Sequence, residues 1–551
     1  MRVLGVEGTA WAASAAVYDA ETDAVLLETD AYQPESGGIH PREAAEHMSE
    51  AVPGAIEAVL DRAREAYGPD PIDAVAFSRG PGLGPCLRVA GTAARALAGR
   101  LDLPLVGVNH MVAHLEIGRH RSGFDAPVCL NASGANAHLL GYRDGRYRML
   151  GETMDTGVGN ALDKFARHVG WSHPGGPKVE AAASEGAYVD LPYVVKGLDF
   201  SFSGIVSAAQ EAYDEGEPVE DVCRGLQESI FGMLTEVSER ALSLTGADEL
   251  VLGGGVGRND RLREMLAAMC ATRGARFHAP EARFLGDNAG MIAVLGAKMY
   301  AAGDTISIGE SRVDPDFRPD EVPVTWRAGE SVSRTPVEAE EVRGAEALVR
   351  IEGERVVKTR RPKEYRHSAL DERLRRERTR LEARLTSEAR REGVPTPVVR
   401  DVDVPRARLV FQHVGARDLA AAPTPERARA VGGLLATLHR AGLVHGDPTT
   451  RNVRIGDGNG ESGGRTEAKR TGTTGTASGR IHLIDFGLGY HSGRVEDHAM
   501  DLHVLRGSLA GTVDDAAPLL AAAREGYAAA ADDATAVLDR LDEIEGRGRY
   551  Q

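Results

Sequence analysis

Two histidines four residues apart, His110 and His114 in VNHMVAHLEIG, are residues whose type and spacing could do chemistry. On a helix, positions i and i+4 share a face, so the two imidazoles can meet one cation. Neutral imidazole suits zinc or iron, and a carboxylate brought from elsewhere would complete a site. Alone, such a pair also fits ordinary polar core or surface. The metalloprotease pattern is discounted, because Met111 stands where that motif places its glutamate base. A second concentration lies near the other end: HGDPTTRN (His445 to Asn452), then IDFG (Ile484 to Gly487), with a lysine upstream in VVKTR.

Turns rich in glycine lie before and between them. SRGPGLGPCLRVAGTAARALA is a Gly/Pro turn running into a helix of small residues, which leaves backbone N–H groups free for an anionic ligand. LNASGANAH, GGPKVE, FSFSGI and LGGGVGRND are tight turns after strand-like runs. Each alone reads as a connector. Five in one region point to a nucleotide.

The elements that must position these residues alternate. VLGVEG, AASAAVYD and DAVLLETDAY read as three strands, REAAEHMSEAVPGAIEAVLDRAREAY as one or two helices, and a second cycle of the same kind begins near Pro127. This is the rhythm of an α/β fold, duplicated into two lobes with a cleft between them. The lobes are expected at about 1–125 and 126–325. Pro319 to about Glu338 is Pro-, Glu-, Ser- and Thr-rich and reads as a linker, set at 326–339. A smaller α+β domain follows over 340–551, with short strands and a long Arg/Glu helix from Asp371 to Arg391. Opposite charges at i, i+4 on that helix suit an exposed, solvated face, with contact to nucleic-acid phosphates as the alternative. Residues 456–479 are low-complexity and read as a disordered insertion between two hairpin strands.

Composition sets the class. The chain has 551 residues, too many for one core. No apolar run approaches the roughly 20 residues of a membrane span, and the start enters a strand without a secretory pattern. The four cysteines, Cys86, Cys129, Cys223 and Cys270, form no CxxC pair, which argues for reduced thiols in the cytoplasm and against cysteine-ligated zinc. The net charge of −17 opposes general nucleic-acid binding, although a local groove need not follow it. Abundant acid, scarce lysine and plentiful arginine fit a protein adapted to high salt.

GVEGTAW, HPREAAEHM, RGPGLGPCLRV, VNHMVAHLEIG, GNALDKFAR, GGPKVE, GGGVGRNDRL and DNAGMIA together resemble the universal tRNA threonylcarbamoyladenosine transferase family, archaeal and eukaryotic branch, over residues 1 to 325. The resemblance implies the fold shared by actin, the heat-shock ATPases and the sugar kinases. It implies one iron or zinc ion, and transfer of threonylcarbamoyl from threonylcarbamoyl-AMP to N6 of the adenosine following the anticodon. The implied metal ligands are His110, His114 and Asp287. Where the family supplies a tyrosine, this chain has Asn131, whose amide oxygen or a water would stand in. Asn131, Ala132, Ser133, Gly134 and Ala135 would cradle the adenylate, and Asp163, Gly176, Glu180 and Asn259 would hold its nucleoside. No residue is marked as a general base.

Asp447 and Asn452 are five apart, the spacing of the protein-kinase catalytic loop, and Asp485 opens an Asp-Phe-Gly triplet. Residues 340 to 551 resemble the small atypical kinase of the KEOPS complex. By that resemblance Asp447 is the proton acceptor, Asn452 and Asp485 hold Mg, Lys358 contacts the ATP phosphates, and Glu382 pairs with Lys358. The phosphate loop is reduced to Val342, Arg343, Gly344, Ala345, Glu346, Ala347, Leu348 and Val349. Little sequence separates Asp485 from the final helices, so an ATPase or autophosphorylating switch is expected rather than a broad protein kinase. The C-terminal RGRYQ resembles that family's basic tail, implicated with tRNA. Partners are then tRNA, ATP and small KEOPS subunits, with no membrane. The contrasting reading is a small-molecule carbamoyl- or phosphotransferase fused to a nucleotide-sensing pseudokinase; dependence on tRNA separates the two.

Overall fold

Strand-forming runs of small and β-branched residues open the computed structural model, which describes residues 1–32, 40–328, 330, 341–456 and 479–547. β1 (Arg2–Glu7), β2 (Ala12–Asp19) and β3 (Ala24–Ala31) form a meander, followed by α1 (Pro41–Tyr67), β4 (Ala74–Gly80), α2 (Gly84–Leu101), β5 (Leu105–Asn109) and α3 (His110–Ser122). The sheet order is β3-β2-β1-β4-β5, antiparallel within the meander and parallel from β1 through β4 to β5. The parallel strands are buried on both faces because helices cover both, which is why their sequences are nearly continuous apolar runs.

The succession then repeats. β6 (Val128–Ala132), β7 (Ala137–Arg143) and β8 (Arg146–Glu152) form a second meander. After α4 (Val158–His168), α5 (Gly176–Ala183), the short pair β9 (Val195–Lys196) and β10 (Asp199–Phe200), α6 (Ser203–Asp214) and α7 (Val219–Thr245), the parallel strands β11 (Glu249–Gly253) and β12 (Arg276–His278) flank α8 (Asp260–Arg273). The order β12-β11-β6-β7-β8 is the first sheet's order written backwards, with the same directions. Two copies of one topology make this the two-lobed actin-like α/β fold. α9 (Ala289–Ala301) returns to the first sheet so closely that a Cβ on Gly5 would lie 2.5 Å from the Ala289 carbonyl oxygen.

The remainder is a smaller, kinase-like α+β unit. β13 (Glu341–Arg343), β14 (Leu348–Glu352), β15 (Arg355–Thr359), β16 (Val399–Asp403) and β17 (Arg408–Gln412) form an antiparallel sheet in the order β13-β14-β15-β17-β16, with α10 (Ser368–Arg391) inserted after β15. Then come β18 (Arg417–Asp418), α11 (Pro425–Arg440), β19 (Leu443–Val444), β20 (Val453–Ile455), β21 (Ile481–Leu483), β22 (Tyr490–His491), α12 (Val495–Thr512), α13 (Ala517–Ala530) and α14 (Ala534–Arg547).

Two expectations need correction. Part of the stretch read as a linker is packed: Arg327 is 2% exposed with its guanidinium 3.5 Å from the Tyr142 ring centroid, and Trp326 stacks on Tyr147. A planar cation over an aromatic face buries well, so the first, two-lobed body continues through these residues. The Arg/Glu helix α10 is not merely a solvated face either, since Asp371, Arg378 and Glu382 are buried on it. Residues 329 and 331–339, the insertion apart from Gly456 and Gly479, and the tail 548–551 lie outside the described residues. At the insertion's two ends, Ile455 pairs with Ile481 across an antiparallel ladder.

Candidate metal centre and nucleotide sites

Asn109 ends β5 and caps α3, its Oδ1 accepting from the backbone N–H groups of Met111 at 3.0 Å and Val112 at 3.1 Å. His110 therefore opens the helix, and His114 follows on the same face, ring centroids 4.8 Å apart. Asp287 arrives from the turn before α9, whose N-terminus Asn288 caps. Its Oδ1 lies 3.3 Å from His110 Nε2 and 3.5 Å from His114 Nε2, and the three donor atoms gather within 4.8 Å of one another. Glu7, at the end of β1, stands behind His110 with Oε2 3.1 Å from Nδ1. It is held there by donation from the Thr9 N–H at 2.8 Å, the Thr9 hydroxyl at 2.6 Å and the Ser78 hydroxyl.

Burial by itself disfavours a charged His110, but Glu7 and Asp287 outweigh it and raise its pKa to about 10. Burial holds His114 down, below its ordinary range. Asp287 is buried too, yet the two imidazoles keep its carboxyl well below the carboxylate range. Around this triad several buried polar atoms have no hydrogen-bond partner among the described residues: both ring nitrogens of His114, Asn131 Oδ1, and both ring nitrogens of His138. Each such atom costs about 1–3 kcal/mol when left unmet. Two imidazoles and a carboxylate, enclosed and backed by a second carboxylate, have the donor chemistry of a transition-metal site, so the residues fit such an ion.

Asn131 and Ala132 end β6, and the turn continues through Ser133, Gly134 and Ala135. It packs on the start of α4, with the Gly159 N–H donating to the Ser133 carbonyl and the Asn160 N–H to that of Gly134. A Cβ on Gly157 would lie 2.3 Å from the Gly134 oxygen, so only glycine permits this approach. Asp163 Oδ1 accepts from the Gly175 N–H at 2.6 Å, just before Gly176 opens α5. Glu180 Oε1 accepts from the Asp260 N–H at 2.9 Å, next to Asn259, which caps α8 and donates to Gln227 Oε1. Asp163, Glu180 and Asn259 are thus anchored in the frame of the second lobe.

In the smaller unit the expected lysine and glutamate meet. Lys358 Nζ, on β15, lies 2.9 Å from Glu382 Oε1 on α10 and 2.6 Å from Asp485 Oδ1. Asp485 has φ 65°, a left-handed backbone that turns its carboxylate toward the lysine's side of the fold. Asn452 Nδ2 donates to Asp447 Oδ2 at 3.0 Å. Burial, only partly opposed by Arg240, raises the Asp447 carboxyl to about 7. Asp501 on α12 holds the loop by accepting from the N–H groups of His445 at 2.7 Å and Gly446 at 2.8 Å.

Comparison with known proteins shows the family to which the chain belongs. The family model described as tRNA N6-adenosine threonylcarbamoyltransferase matches residues 23–294. The chain is 65% identical to a "Probable bifunctional tRNA threonylcarbamoyladenosine biosynthesis protein" of Haloarcula marismortui over 564 aligned positions, covering 100% of both chains. The chain belongs to this bifunctional family. Proteins of the same description from Natronomonas pharaonis and Methanosarcina acetivorans are 67% and 46% identical, each over 100% of this chain and at least 99% of their own. The front half is the threonylcarbamoyltransferase domain, fused to a second domain of KEOPS type.

What sequence reading of this bifunctional enzyme missed is the seam between its halves. Arg240 on α7 reaches Asp447 Oδ2 with Nη1 at 2.9 Å and Glu346 of the reduced loop with Nη2. Glu236, one turn earlier, takes Arg378 at 2.9 Å and also Arg366, while Glu239 takes Lys363 at 2.6 Å. Glu346 is thereby drawn into an ion network with Arg240 and Arg378. The sequence signal was Glu236, Glu239 and Arg240, the charges of an otherwise uncharged stretch over 229–245 in a helix that is buried nearly throughout.

Proposed function

We propose that His110, His114 and Asp287 hold one iron or zinc ion in a transferase domain of about residues 1–325, and that the turn Asn131 to Ala135 receives threonylcarbamoyl-AMP beside it. The observation that carries this reading is the triad itself, the one group of three such donors among the described residues that closes within 4.8 Å. It stands at the carboxyl ends of β1 and β5, where α/β folds bind ligands. A bound ion would polarise the acyl group as a Lewis acid. The chain's own residues then orient the partners. The Ser133–Ala135 turn and the start of α4 cradle the adenylate, Asp163, Gly176, Glu180 and Asn259 frame its nucleoside, and Glu7 fixes the His110 ring so that Nε2 faces the site. Holding two large substrates in one cleft supplies much of the remaining rate.

The second domain, about residues 340–551, binds ATP and Mg with Lys358, Glu382, Asn452 and Asp485, and Asp447 receives the proton of the attacking group. The short segment between Asp485 and α12 favours ATP hydrolysis over peptide phosphorylation. tRNA, ATP and small KEOPS subunits are its partners. No described helix is long and apolar enough to cross a membrane.

The test is tRNA modification in vitro with threonylcarbamoyl-AMP, partner subunits and metal, comparing the natural chain with His110→Ala. A Lewis-acid contribution of about 3 kcal/mol predicts a rate loss of roughly 100-fold or more. Equal product from both proteins would sink the metal assignment.

A further inference from the structure

The family tyrosine implied beside the histidines is absent here, and Asn131 occupies its place. The sheet brings a different side chain to the same face. In the β6/β7 ladder Asn131 pairs directly with His138, and on its other side, in the β11/β6 ladder, with Gly253. Residues directly opposite across a ladder point to one face, with Cβ atoms about 4.5–5.5 Å apart. That face is the one α3 covers: a Cβ on Gly118 of α3 would lie 2.0 Å from Val251 Cγ1 of β11. A Cβ on Gly253 would lie 3.5 Å from His114 Cβ and 3.3 Å from Asn131 Oδ1. His138 is therefore on the histidine side of the sheet. It is 1% exposed, and neither ring nitrogen has a partner among the described residues. A neutral imidazole has one donor and one acceptor, and a buried core histidine ordinarily satisfies them. This one, beside a triad that is itself short of partners, satisfies neither.

We propose that His138 is a ligand of the metal in this chain, joining His110, His114 and Asp287 to give a three-imidazole, one-carboxylate set. The inference rests on the reading of the triad as a metal site. Imidazole is a better donor to zinc or iron than the Asn131 amide, and three imidazoles with one carboxylate fill a tetrahedral shell. The triad's donor atoms gather without His138, so ligation requires its ring to turn toward Asp287.

The decisive measurement is X-ray absorption fine structure on the full-length protein loaded with Zn2+, paired with Zn2+ affinity from competition with a chromophoric chelator. The proposal expects three imidazoles per ion in the natural chain. His138→Gln and His138→Ala should each show two, with affinity at least about 10-fold weaker, since loss of even an outer partner of a ligand costs that much. Co2+ loaded in place of Zn2+ should change its visible spectrum in both variants. Thermal melting without metal separates this from packing: a purely structural imidazole would lower the melting temperature and leave Zn2+ affinity alone, and that result overturns the proposal. Two imidazoles at full occupancy in the natural chain overturns it as well, and leaves the triad standing. No bound Zn2+ at all overturns both this inference and the triad reading.

Discussion

The histidine pair was legible as soon as the helix was, because i, i+4 spacing fixes a shared face before any fold is known. Asp287 was not, since 173 residues separate it from His114 and only family likeness pointed to it. Glu7 was invisible, because nothing in GVEGTAW distinguishes a carboxylate that backs a ligand from one that meets solvent. Its role follows from Oε2 at 3.1 Å from His110 Nδ1, with Thr9 and Ser78 taking up its other acceptor positions. Glu7→Gln keeps the shape and removes the charge that sets the ring's tautomer. We expect Zn2+ affinity, measured by chelator competition, to fall about 10–100-fold. An unchanged affinity would reduce Glu7 to a packing residue. Asp199, a buried carboxyl with no part in either site, gives a pH test. Burial lifts it to about 7 from 3.8, while the Glu152 N–H donates to it at 2.9 Å. Between those values the folded chain keeps a proton that the unfolded chain has shed, so stability falls as pH rises from about 4 to 7. Asp199→Asn, which retains an acceptor for that N–H, should flatten this slope in urea unfolding followed across the window.

Elements were read well where one period dominates and poorly where two bodies meet. The meanders and the repeat of the first sheet's topology in the second follow from alternating apolar runs that both recur after a helical stretch. α10 was misread because its charges match a solvated face, while the partners that bury Arg378 lie on α7, far away in sequence. Helix-to-sheet spacing also could not be seen in sequence, and it bears on the site. α9 begins two residues after Asp287 and lies on β1 at Gly5, where an added Cβ would meet the Ala289 oxygen at 2.5 Å and the Ala293 nitrogen at 2.6 Å. Backbone cannot yield there as a flexible side chain could. Gly5→Ala should cost about 1–3 kcal/mol by overpacking. Because the displaced helix carries Asp287, Zn2+ affinity should weaken with it. A stability loss with Zn2+ binding intact would mean that α9 shifts along its length without moving its first turn.

At the scale of the whole chain, the two halves meet through direct polar contacts. The Gly197 N–H donates to the Gly446 carbonyl at 2.9 Å, Lys196 pairs with Asp497 at 2.8 Å, and Arg240 of the transferase helix α7 grips Asp447 itself at 2.9 Å. Burial raises Asp447 to about 7, Arg240 pulls it down, and Asp485 and Glu346 push it up again. A proton acceptor must be ionised, so ATP hydrolysis should climb as pH rises through about 7 and then level off. Arg240 is the cation that the other half contributes to this balance. Arg240→Gln removes it and leaves Asp447 among burial and two carboxylates, all of which favour the protonated form. The midpoint of the pH–rate profile, followed by steady-state ATP hydrolysis from about pH 5.5 to 9.5, should then move upward by about a unit or more. Activity at pH 7 should drop relative to the alkaline plateau. A profile that keeps its midpoint while the rate changes equally at every pH would mean that Arg240 blocks or braces the loop without tuning its acid. A shifted midpoint would mean that the transferase half sets the pH at which its fused partner works.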